Sequence, residues 1–558
     1  MTNLSSRVTG RDAFLSILAD EGVDHLFGNP GTTELAIMDA LAGRSEPRFV
    51  LGLQEGVVVA MADGYARASN RLTACNVHVA PGLGNAMGAL YNAKFCGSPL
   101  ILTAGQQEQG HGLMEPLLWD SLVPIAQPMV KWAVEVTRVQ DLPRILRRAA
   151  KVAMAPPRGP VFISLPGDIL DGEAELDLGR PTRVDPASRP ADASLQSLAR
   201  RLLAARNPVI IAGNELATWD AWAEASALAE LLGAPVYQQT VPYSAHFPTG
   251  HPAYMGSLPR SQKQVRDTLS PHDLLLSLGG DSLRMSVYSA VEALPDGMPV
   301  VQLSERDWDL GKNFHAELAL QGNVKETLAA LLPALRSLAG ESRIAEGARR
   351  IDALKASNWS AKRAVLAKDA SGLARGKPID PRYLMWRIAE NLPAHALVVE
   401  EALTATPSLL GFLRFHDARS FMGLASGGIG FAMAGAVGAS LALPERPVVA
   451  VVGDGSAMYT IQALWTAANL KRPITYVILN NRSYRILKER MVSFRGKPAF
   501  GGMDFRDPEL DFTGLARAMG VQASRIADPA DVDPALKEAI GSGAPRLLEF
   551  MIADGFGG

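Results

Sequence analysis

Short apolar runs alternate with stretches of helical periodicity along the whole chain, and this alternation constrains the fold more than any other feature of the sequence. In the first third the runs are HLFG, RFVLGL, LTACNVHV, PLILTAG and GPVFISLP. Continuous apolar runs are typical of strands buried on both faces, and the helices between them place such strands in parallel. The sequence therefore predicts an α/β protein built on parallel sheets that are covered by helices.

Two polar stretches divide the chain into three parts. Residues 171–193 carry charge and proline without an apolar period and are interpreted as a linker, and residues 343–378 are interpreted as a second connection. At roughly 100 to 200 residues per domain, a chain of 558 residues should form three or four units. We predict three doubly wound parallel-sheet domains: an N-terminal domain at 1–180, a central domain at 190–340 and a C-terminal domain at 365–558.

The composition argues against several classes of protein. A net charge of −2 does not indicate binding to nucleic acid or to an anionic membrane surface. No run of about 18 apolar residues occurs, and the N-terminal stretch lacks the apolar core of a signal peptide. Cys75 and Cys96 lie in apolar surroundings without a pairing pattern, which suits a reducing compartment. We therefore expect a cytoplasmic protein whose partner is a small molecule.

Polar side chains end two neighbouring apolar runs in the last third of the chain. VVAVVGD ends at Asp454, and ITYVILNN ends at Asn481, 27 residues later, about the length of one strand–helix–strand unit. The carboxyl ends of parallel strands meet at one edge of a sheet, where ligands bind. Oxygens of Asp and Asn suit Mg²⁺, Gly455 allows a close approach of the backbone, and Ser456 begins the next helix. The pattern predicts a magnesium ion that holds a diphosphate, although a generic turn would also explain the GDG motif alone.

This pattern resembles the signature of the thiamine diphosphate-dependent enzymes. In that family the Asp, the second Asn and a carbonyl two residues later bind the metal, which implies Asp454, Asn481 and the backbone of Ser483 here. The family also needs a glutamate, from an early domain, against the pyrimidine ring of the cofactor. Glu55 fits this role because it follows an apolar strand and has apolar neighbours. The alternative is an acid that complements the first turn of a helix.

Within the family, the chain most resembles the benzoylformate decarboxylases. FGNPGTTE, LQEGVVVAMADGYARAS, NVHVAPGLGNAMGAL and ASGGIGFAMAGAVG extend the likeness along nearly the whole chain, most weakly in the middle. The resemblance implies three catalytic residues: Glu55, His78 as an acid–base group, and Thr32 in place of a substrate-binding serine. It implies that the cofactor is bound by Thr404, Gly427, Ile429, Asp454, Gly455, Ser456, Asn481, Ser483, Tyr484 and Arg485.

Several of these assignments have an alternative that the sequence leaves open. His78 could be a satisfied core histidine. Thr32 and Thr33 could cap the helix of ELAIMDAL, with Thr33 the better candidate. Gly427 is expected to offer its carbonyl to the aminopyrimidine and Ile429 to bend the cofactor so that its rings meet, but the glycines there could also serve packing.

Two departures from the decarboxylases bear on the substrate. Ser286 stands where that group has a second active-site histidine. After the two asparagines, RSYRILKERMVSFRG carries Arg485, Lys488 and Arg490 where apolar side chains are expected. These residues either belong to a solvated helix face or contact the diphosphate. If one points into the pocket instead, the substrate should carry an extra negative charge.

The resemblance implies thiamine diphosphate- and Mg²⁺-dependent decarboxylation of a 2-oxoacid, with a benzoylformate-like aryl 2-oxoacid favoured, to an aldehyde and carbon dioxide. Two alternatives stay open. One is a carboligase of the acetohydroxyacid synthase type that forms 2-hydroxyketones, and the other is a cofactor-binding paralogue without turnover. The resemblance also implies a homodimer or homotetramer with active sites at the dimer interface, and no nucleic-acid or membrane partner.

Overall fold

The computed structural model describes residues 6–281, 283–496 and 499–556, so the ends of the predicted outer domains, 1–5 and 557–558, lie outside the described residues. Three six-stranded parallel sheets flanked by helices confirm the predicted fold class. A small antiparallel sheet also pairs Ser6–Thr9 with Glu173–Leu176. The prediction that 171–193 is a linker throughout is therefore wrong, because its first part completes this pair; residues 177–191 contain neither helix nor strand.

The chain forms two compact units. The first comprises Met1–Val184, Val398–Thr404 and Leu424–Gly558, and the second comprises Asp185–Leu397 and Ala405–Gly423. The first unit contains the N-terminal sheet and most of the C-terminal sheet, whereas the second contains the central sheet. The domain limits proposed from the sequence remain a prediction.

The N-terminal sheet is built from buried apolar strands, of which Leu100–Gln106 is buried at every position. Its strand order is Arg48–Leu51, His25–Gly28, Thr73–His78, Leu100–Gln106, Val161–Pro166 and Ala133–Glu135. Its α-helices are Gly10–Asp20, Leu35–Leu41, Glu55–Ser69, Val79–Cys96, Leu122–Ala126, Leu142–Met154 and Gly167–Asp171.

The central sheet has its own apolar core in the second unit. Its strand order is Tyr254–Ser257, Val236–Gln238, Pro208–Ala212, Leu274–Leu278, Val300–Ser304 and Leu318–Gln321. The helices of this part are Asp192–Ala204, Glu215–Thr218, Trp222–Leu232, Gln262–Leu269, Val324–Leu354 and Trp359–Ser371, and the fifth is kinked at Gly340.

The C-terminal sheet contains Leu397–Glu401, Val448–Gly453, Ile474–Asn480, Arg546–Met551 and Gln522–Ile526 in that order, with Phe421–Gly423 as its sixth strand. The helices of this part are Pro381–Asn391, Thr406–Phe412, Ala432–Ala442, Asp454–Ala457, Ala463–Asn469, Arg485–Arg495, Phe512–Ala518 and Val532–Gly541. No helix in the described ranges is both long and apolar enough to cross a membrane.

Two helices of the first unit approach so closely that their backbones touch. They are Glu55–Ser69 and Ala432–Ala442. A Cβ atom on Gly64 would lie 2.2 Å from the carbonyl oxygen of Gly435, and one on Gly438 would lie 1.8 Å from that of Met61. Only glycine fits at these contacts. The helix that starts at Glu55 is therefore held firmly against the helix that follows Gly427.

Candidate active site

Asp454 and Asn481 come together at the carboxyl edge of the C-terminal sheet. The strands that precede them are parallel neighbours, with Gly453 paired to Leu479. The Asp454 carboxylate accepts hydrogen bonds from the backbone N–H groups of Asn481, at 3.1 Å, and Ser483, at 3.3 Å. The spacing of the two motifs thus leads to the close approach that the sequence predicted.

The donor set around Asp454 fits a hard cation such as Mg²⁺. Burial raises the pKa of Asp454 to about 6, against the opposing effect of backbone N–H groups. The Asn481 amide oxygen lies 2.9 Å from the Ser483 nitrogen, and all three residues are buried. Within the described residues, no group of three or more His, Cys, Asp and Glu side chains could hold a metal. A single carboxylate with amide and carbonyl oxygens therefore suits an ion that shares its charge with a diphosphate.

Ser456 and Gly455 fit a phosphate group. The Ser456 hydroxyl is buried, and within the described residues it has no hydrogen-bond partner. A buried hydroxyl without a partner is costly, and a phosphate oxygen could accept its hydrogen bond. A Cβ atom on Gly455 would lie 2.5 Å from the ring of Tyr484, so a side chain there would displace that ring. Thr404 lies half-buried in the turn after Leu397–Glu401.

Two of the basic residues after Asn481, Arg485 and Lys488, are engaged by acidic and carbonyl groups. Lys488 is only 3% exposed, and its ammonium contacts Asp504 at 2.7 Å and Asp554 at 3.0 Å. The Arg485 guanidinium bonds Glu489 at 3.0 Å and the Ala553 carbonyl at 3.2 Å. The charge of Lys488 is therefore compensated by two carboxylates, which argues against its selecting an extra negative charge on the substrate. Arg490 is half-buried.

Residues 425–431, here called the glycine loop, contain Gly427 and Ile429. Gly427 has a φ of +84°, a conformation that side chains rarely adopt. The far end of the loop is held by the buried carboxylate of Glu401, which accepts from the N–H groups of Gly430, at 2.6 Å, and Ala432, at 2.7 Å. Burial raises the pKa of Glu401 to about 7, and these N–H groups oppose the rise. The sequence analysis did not identify Glu401.

Glu55 is the first residue of its helix, but its carboxylate is held by side chains rather than by solvent. It accepts hydrogen bonds from the amide groups of Asn29, at 3.3 Å, and Asn85, at 3.0 Å, and the residue is 9% exposed. A Cβ atom on Gly82 would lie 3.2 Å from this carboxylate. Amide donors leave the carboxyl group able to take part in a further hydrogen bond, as a role against a cofactor ring requires.

His78 ends the strand Thr73–His78, and its Nδ1 atom is fixed by two partners. Nδ1 lies 2.8 Å from a carboxylate oxygen of Glu34 and 3.0 Å from the hydroxyl of Thr33. Glu34 is itself buried and accepts from the N–H groups of Gly31 and Gly105. The hydrogen bond with Glu34 raises the pKa of His78, and the charges of Glu34 and Glu55 add to this effect against desolvation.

The position of Thr33 differs from the sequence interpretation, whereas the assignment of Thr32 to the substrate stays a prediction. The prediction that Thr33 caps the helix is wrong, because its hydroxyl faces His78 and Glu34 and the 3₁₀ turn Thr32–Glu34 begins after Gly31. Thr32, which was assigned to the substrate, is exposed. Its place at the start of the turn leaves its side chain on the surface of this chain.

A cavity of about 440 Å³ lies within the first unit, between residues of its N-terminal and C-terminal parts. It is lined by Gln54, Gly56 and Asn85 on one side and by Gly427 and Ile429 on the other. The residues that flank Glu55 and the glycine loop therefore share one cavity. In the described ranges, no hydrogen bond or ion pair joins Glu55 or His78 to Asp454 or Asn481. The candidate residues thus form a Glu55–His78 half-site and an Asp454–Asn481 half-site.

Replacing Glu34 with glutamine is expected to lower the pKa of His78, because a neutral amide does not favour the protonated imidazole. The fraction of protonated His78 then falls at any pH between the old and the new value. NMR titration of the His78 ring proton measures this pKa directly. Thr33→Val, which removes only the neutral partner, is the control and should shift the pKa less. An unchanged or higher pKa in Glu34→Gln would contradict the role of Glu34.

Three domain models of the thiamine pyrophosphate enzymes match the chain. The N-terminal TPP binding domain matches residues 8–117, the central domain matches 195–331 and the C-terminal TPP binding domain matches 406–550. The three matches follow the order of the three sheets and together cover more than half of the chain.

Known proteins resemble the chain over almost its whole length. Benzoylformate decarboxylase of Pseudomonas aeruginosa is 35% identical over 97% of this chain and 98% of its own. A probable acetolactate synthase large subunit of Methanococcus aeolicus is 27% identical over 98% of this chain and 92% of its own. The solved structure of the thiamine diphosphate-dependent 4-hydroxybenzoylformate decarboxylase of Rhodococcus jostii RHA1 superposes with a TM-score of 0.87 at 30% identity, covering 98% of this chain and 99% of that one.

Proposed function

The chain belongs to the thiamine diphosphate-dependent enzyme family, and from this premise we propose that it decarboxylates a 2-oxoacid without oxidation. The products are an aldehyde and carbon dioxide, and a benzoylformate-like aryl 2-oxoacid is the favoured substrate. The observation that carries the proposal is the Glu55–His78 half-site, in which a buried carboxylate and a protonatable imidazole lie at one sheet edge.

His78 supplies the proton that completes the reaction. Its Nδ1 is engaged by Glu34, so Nε2 is the atom that can transfer a proton. The bond between the keto carbon and the carboxylate breaks, carbon dioxide leaves, and the proton from Nε2 ends on the former keto carbon. A raised pKa keeps His78 protonated at higher pH, which suits a general acid.

Thiamine diphosphate, when bound, would supply an electron sink for the bond to the leaving carboxylate. Glu55 would share a proton with its pyrimidine ring, and Asn29 and Asn85 orient the Glu55 carboxylate for this contact. Gly427 would present its carbonyl to the aminopyrimidine, and Ile429 would support the bent conformation. The roles of Gly427 and Ile429 rest on their positions at the cavity and on the family relationship, and that of Glu55 rests on its amide partners and on the same relationship.

Mg²⁺ and the diphosphate would be held by the second half-site. Asp454, Asn481 and the carbonyl of Ser483 are the proposed metal ligands. The diphosphate would be bound by Ser456 and Gly455, together with Thr404 and the backbone of Tyr484 and Arg485. The buried Ser456 hydroxyl, which has no hydrogen-bond partner in the described part of the chain, is the feature that most favours this assignment.

The substrate pocket is proposed to be apolar. The charge of Lys488 is compensated by Asp504 and Asp554, so this cation is not free to bind a charged group on the substrate. An uncharged aryl group needs no such cation. Ile486 and Leu487, on the same helix, are the proposed apolar walls; Ile486 is half-buried and Leu487 is exposed in the single chain. These positions favour an aryl or bulky aliphatic side chain over a second carboxylate.

A panel of 2-oxoacids tests the proposal. Benzoylformate and 4-hydroxybenzoylformate should give the highest kcat/KM, pyruvate a lower value, and 2-oxoglutarate the lowest, since a second carboxylate finds no free cation at Lys488. Carbon dioxide release and aldehyde formation are followed together with saturating Mg²⁺ and thiamine diphosphate. No turnover of any member by protein that has bound the cofactor would refute the proposal and favour a paralogue that only binds it.

A carboligase is the second candidate, and one observation favours it. Ser286, which stands where the decarboxylases have a second histidine, is exposed and cannot act as an imidazole does. If the former keto carbon is protonated more slowly, a second carbonyl compound has more time to react with that carbon. Product analysis separates the two: aldehyde indicates protonation, whereas a 2-hydroxyketone such as an acetolactate-like product indicates ligation.

The active site is proposed to form between chains of a homodimer, alone or within a homotetramer. Among the described residues of a single chain the two half-sites share no hydrogen bond, and a second copy could bring the Glu55 half-site of one chain to the Asp454 half-site of the other. We propose a cytoplasmic location, which is consistent with two buried cysteines that form no disulfide among the described residues.

A further inference from the structure

The near end of the glycine loop is held by a side chain from the N-terminal part of the chain. Asn92 lies on the helix Val79–Cys96 and is 2% exposed. Its side-chain oxygen accepts hydrogen bonds from the N–H groups of Ala425, at 3.2 Å, and Ser426, at 3.1 Å. Two consecutive N–H groups of the loop thus end on one amide oxygen.

Asp63 fixes the orientation of this amide. The Asn92 side-chain nitrogen donates to Asp63 at 2.8 Å, and the Ser98 hydroxyl donates to the other oxygen of the same carboxylate. Asp63 is fully buried on the helix that starts at Glu55. Because a carboxylate accepts and a backbone N–H donates, an amide is the group that satisfies both neighbours at once.

Asn92 and Glu401 together hold both ends of the glycine loop, and Gly427 lies between them. Asn92 engages the N–H groups of residues 425 and 426, and Glu401 engages those of residues 430 and 432. Asn92 and Asp63 also line the cavity that contains Gly427. The loop is therefore shaped by buried side chains before any ligand binds.

We propose that Asn92, oriented by Asp63, is a positioning residue that presents Gly427 to the aminopyrimidine ring of the cofactor. This inference rests on the proposed function and adds a residue that neither catalyses nor touches the substrate. Its effect should be confined to the ring, because Asn92 makes no hydrogen bond with the described residues of the Asp454–Asn481 half-site.

Binding to metal-free, cofactor-free protein tests the proposal. Thiamine diphosphate and inorganic pyrophosphate are titrated separately at fixed Mg²⁺, since pyrophosphate reports only on the diphosphate contacts. Asn92→Ala is expected to weaken thiamine diphosphate about 10- to 100-fold, because two loop N–H groups lose their acceptor. Its pyrophosphate affinity should stay within about twofold, since every diphosphate ligand is unchanged.

Exchanging the carboxylate of Asp63 and the amide of Asn92 provides a second test. Asn92→Asp places two carboxylates side by side and should weaken thiamine diphosphate at least as much as Asn92→Ala. The double variant Asp63→Asn with Asn92→Asp restores one amide and one carboxylate in the same contact and should regain most of the lost affinity. Ser98→Ala leaves the bonds to the loop intact and, as the matched control, should change the affinity about threefold or less.

Three results would overturn the proposal. The first is wild-type affinity of Asn92→Ala for thiamine diphosphate, and the second is an equal loss of affinity for thiamine diphosphate and pyrophosphate in this variant. The third is no recovery of thiamine diphosphate affinity in the double variant. Circular dichroism checks that each variant is folded. If the wild-type protein itself fails to bind thiamine diphosphate, the proposed function is refuted instead. The two failures are therefore distinguishable.

Discussion

Glu55→Gln is expected to lower kcat for 2-oxoacid decarboxylation about 10²- to 10⁴-fold, the range that a lost proton-transfer group commonly produces. Glutamine has nearly the same shape, so the packing around Asn29 and Asn85 should change little. What is lost is a carboxyl group that can exchange a proton with the pyrimidine ring. Cofactor affinity should fall far less than kcat, because the diphosphate contacts are intact.

The measurement combines steady-state kinetics with cofactor titration on the same preparation. Glu173→Gln is the matched control, since Glu173 is an exposed partner of Arg7 whose loss should leave kcat within about twofold. A Glu55→Gln variant with near wild-type kcat would exclude Glu55 from the chemistry. Equal losses of kcat and cofactor affinity would assign Glu55 to binding instead.

Asp454→Ala is expected to abolish metal-dependent cofactor binding. Removing one partner of a buried ion pair costs about 3 to 5 kcal/mol, which corresponds to roughly 10²- to 4 × 10³-fold in affinity. The protein should purify with little Mg²⁺ and thiamine diphosphate, which elemental analysis and calorimetric titration would detect. Asp531→Asn, an exposed acid of the same part of the chain, is the control. Retained affinity in Asp454→Ala would place the metal elsewhere.

Mixing the two inactive variants tests whether active sites are shared between chains. A heterodimer of Glu55→Gln and Asp454→Ala carries both changes in one site and none in the other. Random exchange of subunits makes half of the dimers heterodimers, so about a quarter of wild-type activity should return. Sedimentation of each variant must first show a dimer or larger assembly. No recovery after proven exchange would mean that each chain completes its own site.

The Asp454–Asn481 half-site could be predicted from sequence because it depends on two strand ends that lie close together in the chain. Two apolar strands end in oxygen-bearing side chains 27 residues apart, and parallel pairing brings these ends together. The fold class followed from the same alternation of apolar runs and helices. Glu55 could be singled out because burying a carboxylate among apolar neighbours costs free energy, which indicates a functional role.

Other parts of the site depend on tertiary contacts that no spacing encodes. Glu34 reaches His78 across 44 residues because a 3₁₀ turn aims it inward, and that turn decides that Thr33 rather than Thr32 faces the imidazole. Lys488 could not be placed, since its burial depends on Asp554 at the other end of this part of the chain. The polar side chain of Asn85, inside the otherwise apolar and glycine-rich motif GLGNAMG, was the sequence signal that could have indicated a partner of Glu55.

The backbone contact between the helices of Glu55 and Gly435 also limits how this protein can change over evolutionary time. Gly64 and Gly438 accept no side chain without separating the helices, so random libraries that sample these codons should yield mostly inactive clones. Under the proposed function, changes in substrate range are expected along the helix Arg485–Arg495, where Leu487 is exposed and open to replacement. The two helices in backbone contact thus resist substitution, whereas the helix Arg485–Arg495 accepts it.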